Sequence, residues 1–299
     1  MRLPERSRRY ESLLYDNARW DAIAMRAGDV VVAAPYKAGT TWIQYLCAMA
    51  LHGGPALPAP LVELSVWTDT TLYDLDEVVE LYARQPWRRV FKTHTPLDGL
   101  PYREDVSYIV CGRDARDAFL SMRDHDANTK PAHRERFLPL PQDPDLLFRL
   151  WLTGPSHPWT HDGFPYGPYF HQLASFWDFR RLPNVHFVHY RELTQDLPRA
   201  FDDLAAFLGV KLSGAQREAI IAGASFDSMR KGAGHLAPLA NQDVWISSEA
   251  FFRAARNGAW RHGLNAKSHA LYEKLTRERY PRDFLNWLEG AIIREPQPG

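Results

Sequence analysis

The stretch Val30 to Leu51, VVVAAPYKAGTTWIQYLCAMAL, decides the fold of this 299-residue chain. Its apolar start, Val30 to Pro35, has the composition of a buried strand. A short turn with Lys37 and Gly39 follows, then Thr40 and Thr41. Trp42, Tyr45, Leu46 and Met49 recur at i, i+3, i+4 and i+7, the period of a helix. A strand feeding a helix through a glycine turn leaves the first helical N–H groups unpaired and converging, which favours an anion at that end. Lys37 adds a full positive charge and the threonines add hydroxyl donors. The pattern is P-loop-like but is not the ATPase loop G-x-x-x-x-G-K-[ST], because Lys37 precedes Gly39. No G-x-G-x-x-G occurs in the chain, which removes the dinucleotide fingerprint. Taken alone, the stretch fits an ordinary strand–turn–helix with a solvated lysine equally well.

Three further β-rich runs extend the reading: Arg89–Lys92, Val106–Gly112 and Asn184–Tyr190, beside Asp29–Ala34. Helical patterns lie between and after them, over Asp76–Arg84, Asp114–Met122 and Leu197–Leu208, the last stopped by Gly209. Near-continuous apolar strands alternating with helices predict an α/β domain with a central parallel sheet flanked by helices. Ligands of such sheets sit beyond the carboxyl ends of the strands, where Lys37, His94 and Arg113 each follow a strand. Residues 125–170, rich in Pro, His and aromatics, read as long loops of one domain over 1–293, and 294–299 as a disordered tail.

Composition sets the function class. The chain has 36 basic and 36 acidic side chains, so a bulk polyanion such as nucleic acid is not its expected partner. An anionic ligand must be gripped by a local cluster. Aromatic residues make up 13%, with ten tryptophans, enough to build stacking surfaces. Cys47 and Cys111 both fall in apolar elements and read as core residues, neither a disulfide framework nor a zinc site. The N-terminus lacks the apolar segment of a secretory signal, and no apolar run approaches the ~20 residues that span a bilayer. A reduced, cytoplasmic protein is the expectation.

Two more clusters join the Lys37 turn. In FKTHTP, Lys92 and His94 are two apart, so an extended chain points them to one side. A neighbouring lysine disfavours the imidazolium and keeps His94 a neutral base near pH 7. In CGRDARDAFLS, Arg113 sits at the mouth of the expected helix and Ser121 about two turns along. Together and in this order, PYKAGTTW, KTH and Arg113 with Ser121 resemble the cytosolic-type sulfotransferases, which use 3′-phosphoadenosine 5′-phosphosulfate (PAPS). The likeness continues through Tyr190 in HYREL, SFDSM at Ser225–Met229 and FFRAARNGAW at Phe251–Trp260. THTPLDGL and YESLLYDNARWDAI look most like glycolipid-type sulfotransferases of actinobacteria.

The resemblance implies a role for each matching residue. Lys37, Ala38, Gly39, Thr40 and Thr41 would hold the 5′-phosphosulfate. Trp42 would stack on adenine with Phe226 and Met229 in the Ser225 segment, and Tyr190 would touch the adenine edge. Arg113, Ser121, Arg253 and Ala254 would form the 3′-phosphate side, leaving adenosine 3′,5′-bisphosphate (PAP) as product. His94 would be the general base, with Lys92 stabilising charge beside it. No metal is implied. The acceptor would be a hydroxyl, on a glycolipid or another apolar alcohol. Three positions depart from the family pattern: Tyr36 stands in place of a proline, Ala254-Ala255 replaces Lys-Gly, and the usual dimerisation segment is not recognisable after Trp260. Arg256 is the candidate substitute for the lost cation, and the oligomeric state stays open.

Two other functions compete. A phosphotransferase would want a Mg²⁺-holding carboxylate at a strand end, for which Asp114 is the candidate, and a non-catalytic binder of adenosine bisphosphates would not need His94. A metal site from the twelve histidines is disfavoured: Pro158 breaks a helix between His157 and His161, and His186 and His189 point to opposite faces of a strand. Phe148, Trp151, Trp159, Phe164 and Tyr166, with Trp67 and Tyr73, wall an acceptor cleft or pack the loops onto the domain.

Overall fold

In the computed structural model, residues 2–12, 14, 16–134, 141–154, 169–239, 243–252 and 256–291 are described. Four strands, β1 (Val30–Ala33), β2 (Val90–Thr93), β3 (Ser107–Gly112) and β4 (Val185–His189), form one sheet in the order β2-β1-β3-β4. All pairings are parallel, with Val30 opposite both Val90 and Ser107, and Gly112 opposite His189. Each strand lies within one or two residues of its expected run.

The central strand is buried on both faces, which is why it reads as an unbroken apolar run. Val30 and Val32, with Ile109 and Cys111, pack on Ile43, Leu46, Phe201 and Leu204. Val31 and Ala33, with Phe91, Tyr108 and Val110, face the opposite core of Phe119, Phe148, Phe176 and Phe284. Cys47 and Cys111 are free and fully buried, as expected.

Helix α1 (Thr40–His52) follows β1 through the Lys37–Gly39 turn. Other expected helices form at Leu75–Ala83, Ala115–Ala127 and Leu197–Phe207. The long-loop expectation for 125–170 needs correction. The helix begun at Ala115 runs on to Ala127, and beyond the short helix Pro131–Arg134 lies a longer one, Pro144–Thr153. Asp143 caps it through Leu146 N (2.7 Å), and proline at the first position suits a helix start. Phe148 is fully buried between Phe119 and Trp151, so both rings serve the core and not a cleft. Trp159, Phe164, Tyr166, His157, His161 and the 294–299 tail lie outside the described residues. No helix among the described residues is long and apolar enough to cross a membrane.

Because β1 leads to β2 on one side and β3 to β4 on the other, a crevice opens between the carboxyl ends of β1 and β3. Doubly wound sheets bind ligands at such a switch point. The turn with Lys37 and the residue Arg113 flank it, joined by a hydrogen bond from Arg113 Nη1 to the Lys37 carbonyl (3.2 Å).

Candidate active site

The Lys37–Gly39 turn needs unusual backbone angles. Lys37 has φ 64° and Gly39, the residue before α1, has φ 107°. A Cβ at Gly39 would stand 2.8 Å from Tyr190 Cδ2, so glycine meets both the left-handed conformation and the close approach. No side chain caps α1, so its first N–H groups stay available at the crevice.

A cavity of about 500 Å³ opens there, lined by Lys37, Trp42, Lys92, His94, Arg113, Ser121 and Tyr190 among others. Lys37 Nζ lies 4.3 Å from the Phe251 ring centroid and donates to His125 Nδ1 at 3.2 Å. Burial, then Arg113 and Lys92, lower its pKa to about 7, against the pull of Asp124. Lys92 is lowered to about 8, again by burial.

His94 directly follows β2 and is nearly enclosed. Its Nδ1 lies 2.6 Å from the Ala34 carbonyl, which can only accept, so the proton sits on Nδ1 and Nε2 carries the lone pair. Tyr36 stacks on one face of the ring (4.2 Å) and Trp67 meets it edge-on (4.9 Å). Burial, then Lys92 and Lys37, hold its pKa well below the ordinary value, against the pull of the Ala34 hydrogen bond. Lys92 Nζ lies 5.2 Å from the same Trp67 ring, on the side expected from its two-residue spacing.

Arg113 leaves β3 just before the cap residue Asp114. Its guanidinium lies 4.3 Å from the Tyr190 ring and donates to the carbonyls of Lys37 and Arg256 (2.9 Å), while its buried Nε has no partner among the described residues. Trp42 meets Tyr190 edge-on at 5.8 Å, lies 6.1 Å from Phe226, and buries an Nε1 without a partner among the described residues. Tyr190 is placed by a capping box: His189 accepts from Arg191 N, and Glu192 accepts from His189 N, both at 3.1 Å. Unpaired buried donors, aromatic walls and three converging cations suit a nucleotide with anionic groups at both ends.

The structure brings Lys37, Gly39, Thr40, Thr41, Trp42, Lys92, His94, Arg113, Ser121, Tyr190, Phe226 and Met229 to this cavity. Ser225 does not line it: its hydroxyl caps the Phe226–Lys231 helix through Ser228 N (3.3 Å). Ala38 is buried behind the turn, its carbonyl accepting from the Cys111 thiol (2.9 Å). Arg253 and Ala254 lie outside the described residues, while Arg256 lines the cavity. Asp114, the metal-holding candidate of the phosphotransferase reading, is committed to Arg116 through bonds of 2.9 and 2.7 Å. Sequence reasoning missed His125, although its place four residues after Ser121 puts it on the same helix face.

A sulfotransferase-domain family model matches residues 27–283. The chain is 37% identical to a glycolipid sulfotransferase of Mycobacterium bovis over 93% of both chains. It is 36% identical to one of Mycobacterium tuberculosis, again over 93% of each. Human sulfotransferase 2A1 is 23% identical over 89% of this chain and 90% of that protein. Among solved structures, retinol dehydratase in complex with retinol and PAP shares the fold at TM-score 0.73 and 21% identity, covering 94% of this chain and 89% of that one. A mouse sulfotransferase complexed with PAP gives 0.69 at 22% identity, covering 91% and 92%. With the family match spanning most of the sequence and the strand-end residues gathered around one crevice, the chain belongs to the sulfotransferase family.

Proposed function

We propose that this enzyme transfers a sulfuryl group from PAPS to a hydroxyl of a glycolipid or similar amphipathic alcohol, with residues 1–293 acting as one domain. PAPS supplies an activated SO₃ group when bound. Sulfuryl transfer between oxygens resembles phosphoryl transfer, so alignment and charge stabilisation carry the catalysis. Lys37 takes up negative charge growing on the leaving phosphate side, a contact worth ~3 kcal/mol when removed in comparable sites. Arg113 and Ser121 hold the 3′-phosphate, with Arg253 beyond them. Trp42, Phe226, Met229 and Tyr190 hold the adenine. His94 Nε2 accepts the acceptor's proton, and Lys92 stabilises charge beside it.

The observation that carries this reading is the state of His94. Its Nδ1–H is fixed on the Ala34 carbonyl, which leaves a neutral imidazole with a free Nε2 in the cavity that also holds Lys37 and Arg113. A mere binder of bisphosphates would not need a tautomer-fixed base there. The glycolipid acceptor is supported by the mycobacterial relatives and by the aromatic walls Tyr36, Trp67 and Tyr73.

Incubation with labelled PAPS and a lipid extract tests it. The expected result is one lipid fraction gaining a sulfate ester at a rate unchanged by EDTA. Transfer abolished by EDTA, or label appearing only as free sulfate, would contradict it.

A further inference from the structure

Below the base lies a buried carboxylate that none of the roles above uses. Asp69 is fully buried, and four donors converge on it. Trp67 Nε1 bonds its Oδ1 at 2.5 Å, while Trp20 Nε1 (3.1 Å), Thr93 Oγ1 (2.5 Å) and Thr95 Oγ1 (2.6 Å) bond its Oδ2. Thr93 and Thr95 bracket His94, and Thr95 N donates back to Thr93 Oγ1 (3.0 Å), closing the turn around the histidine. The same carboxylate thus fixes both the segment that carries the imidazole and the indole packed against that imidazole. Residues 67 and 68 also run beside β2, with Thr68 N donating to the Lys92 carbonyl (3.0 Å).

We propose that Asp69 is the positioning residue of the general base, setting the angle of His94 through Trp67 on one side and Thr93 and Thr95 on the other. The inference rests on the reading of His94 as base.

Two features favour this over a purely structural carboxylate. A buried charge needs compensation, yet among the described residues the four hydrogen bonds to the Asp69 carboxylate all come from neutral donors, with Lys92 and Arg19 as cations in its field. Three of its four donors, moreover, belong to residues that adjoin or touch His94. Burial raises the Asp69 pKa, and the four hydrogen bonds oppose that rise. Indoles only donate, so the Trp67 ring is held at its Nε1 by the acceptor that Asp69 Oδ1 supplies. A loosened Trp67 frees the ring that meets His94 edge-on, and a misplacement of about 1 Å can cost about 100-fold in rate.

The test uses the full chain with histidine nitrogens labelled for NMR, and follows transfer from PAPS to dodecyl glucoside. In the wild type, His94 should show a single Nδ1–H tautomer. Asp69→Asn and Trp67→Phe should each mix the His94 tautomers and lower kcat by about 10–100-fold, with PAP affinity unchanged. The double variant should be no worse than the poorer single one, because both act on one contact. A wild-type His94 signature and kcat in Asp69→Asn, with only a lower Tm, would overturn the proposal, as would losses that multiply. Should Asp69→Asn fail to fold, Thr95→Val removes one bond and carries the same expectations. His94→Ala separates the two levels. A dead His94→Ala beside a fully active Asp69→Asn overturns this inference alone, whereas an active His94→Ala overturns the base assignment and this inference with it.

Discussion

Burial, with Arg113 and Lys92 nearby, lowers the Lys37 pKa to about 7, so PAP binding should be accompanied by proton uptake. A lysine beside a bound phosphate returns to its ordinary value near 10.4, because the anion restores the ammonium. At pH 8 only about a tenth of a pKa-7 amine is protonated, so binding takes up about 0.9 proton, and about 0.5 at pH 7. Lys92, near 8, adds at most about 0.5 at pH 8. PAP itself contributes little there, since phosphate second pKa values lie near 6. Titration calorimetry in buffers of different ionisation enthalpy gives the uptake directly, as the slope of observed against buffer enthalpy. Lys37→Arg isolates the Lys37 share, because a guanidinium stays charged throughout. The slope should fall by about 0.9 proton at pH 8, and wild-type PAP affinity should weaken toward about tenfold per pH unit above pH 7. A wild-type slope near zero, or an equal slope in Lys37→Arg, would refute the placing of Lys37 as a dehydrated amine that becomes charged when the donor binds.

Other consequences follow from the same geometry. Arg113→Ala should weaken PAP far more than adenosine 5′-phosphate, and equal losses in calorimetry would remove it from the 3′-phosphate. Gly39→Ala forces a Cβ toward Tyr190 at φ 107°, strain of about 1–3 kcal/mol, so Tm and PAP affinity should drop together. His94 titrates well below 6.5, so below pH 6.5 the unfolded chain binds a proton that the folded one refuses. Stability should therefore fall as pH drops through that range, less so in His94→Phe, and the acid limb of kcat/KM assigned to His94 should lie well below 6.5.

The parts of this molecule that the sequence reveals are those governed by local rules. A central parallel strand is apolar along its whole length, so Val30–Ala33 and Ser107–Gly112 announce themselves. Lys37, His94 and Arg113 stand where strands end. The Pro144–Thr153 helix obeys local rules too, with Asp143 as cap, but its neighbourhood of prolines and aromatics hid the apolar period of Leu147, Phe148 and Trp151. Ser225 carries a local signal of its own, since a serine two residues before an aspartate in S-F-D-S is also an N-cap. Asp69 was not legible at all. Its meaning comes from Trp20, Thr93 and Thr95, residues 24 to 49 positions away that only the folded chain brings to it.

The most direct measurement of the central claim compares His94→Ala with the wild type in turnover and in PAP affinity. A base in a donor-binding crevice predicts a loss of about 10²–10⁴ in kcat with PAP bound as tightly as before. Undiminished turnover, or a loss of PAP affinity equal to the loss of rate, would contradict it.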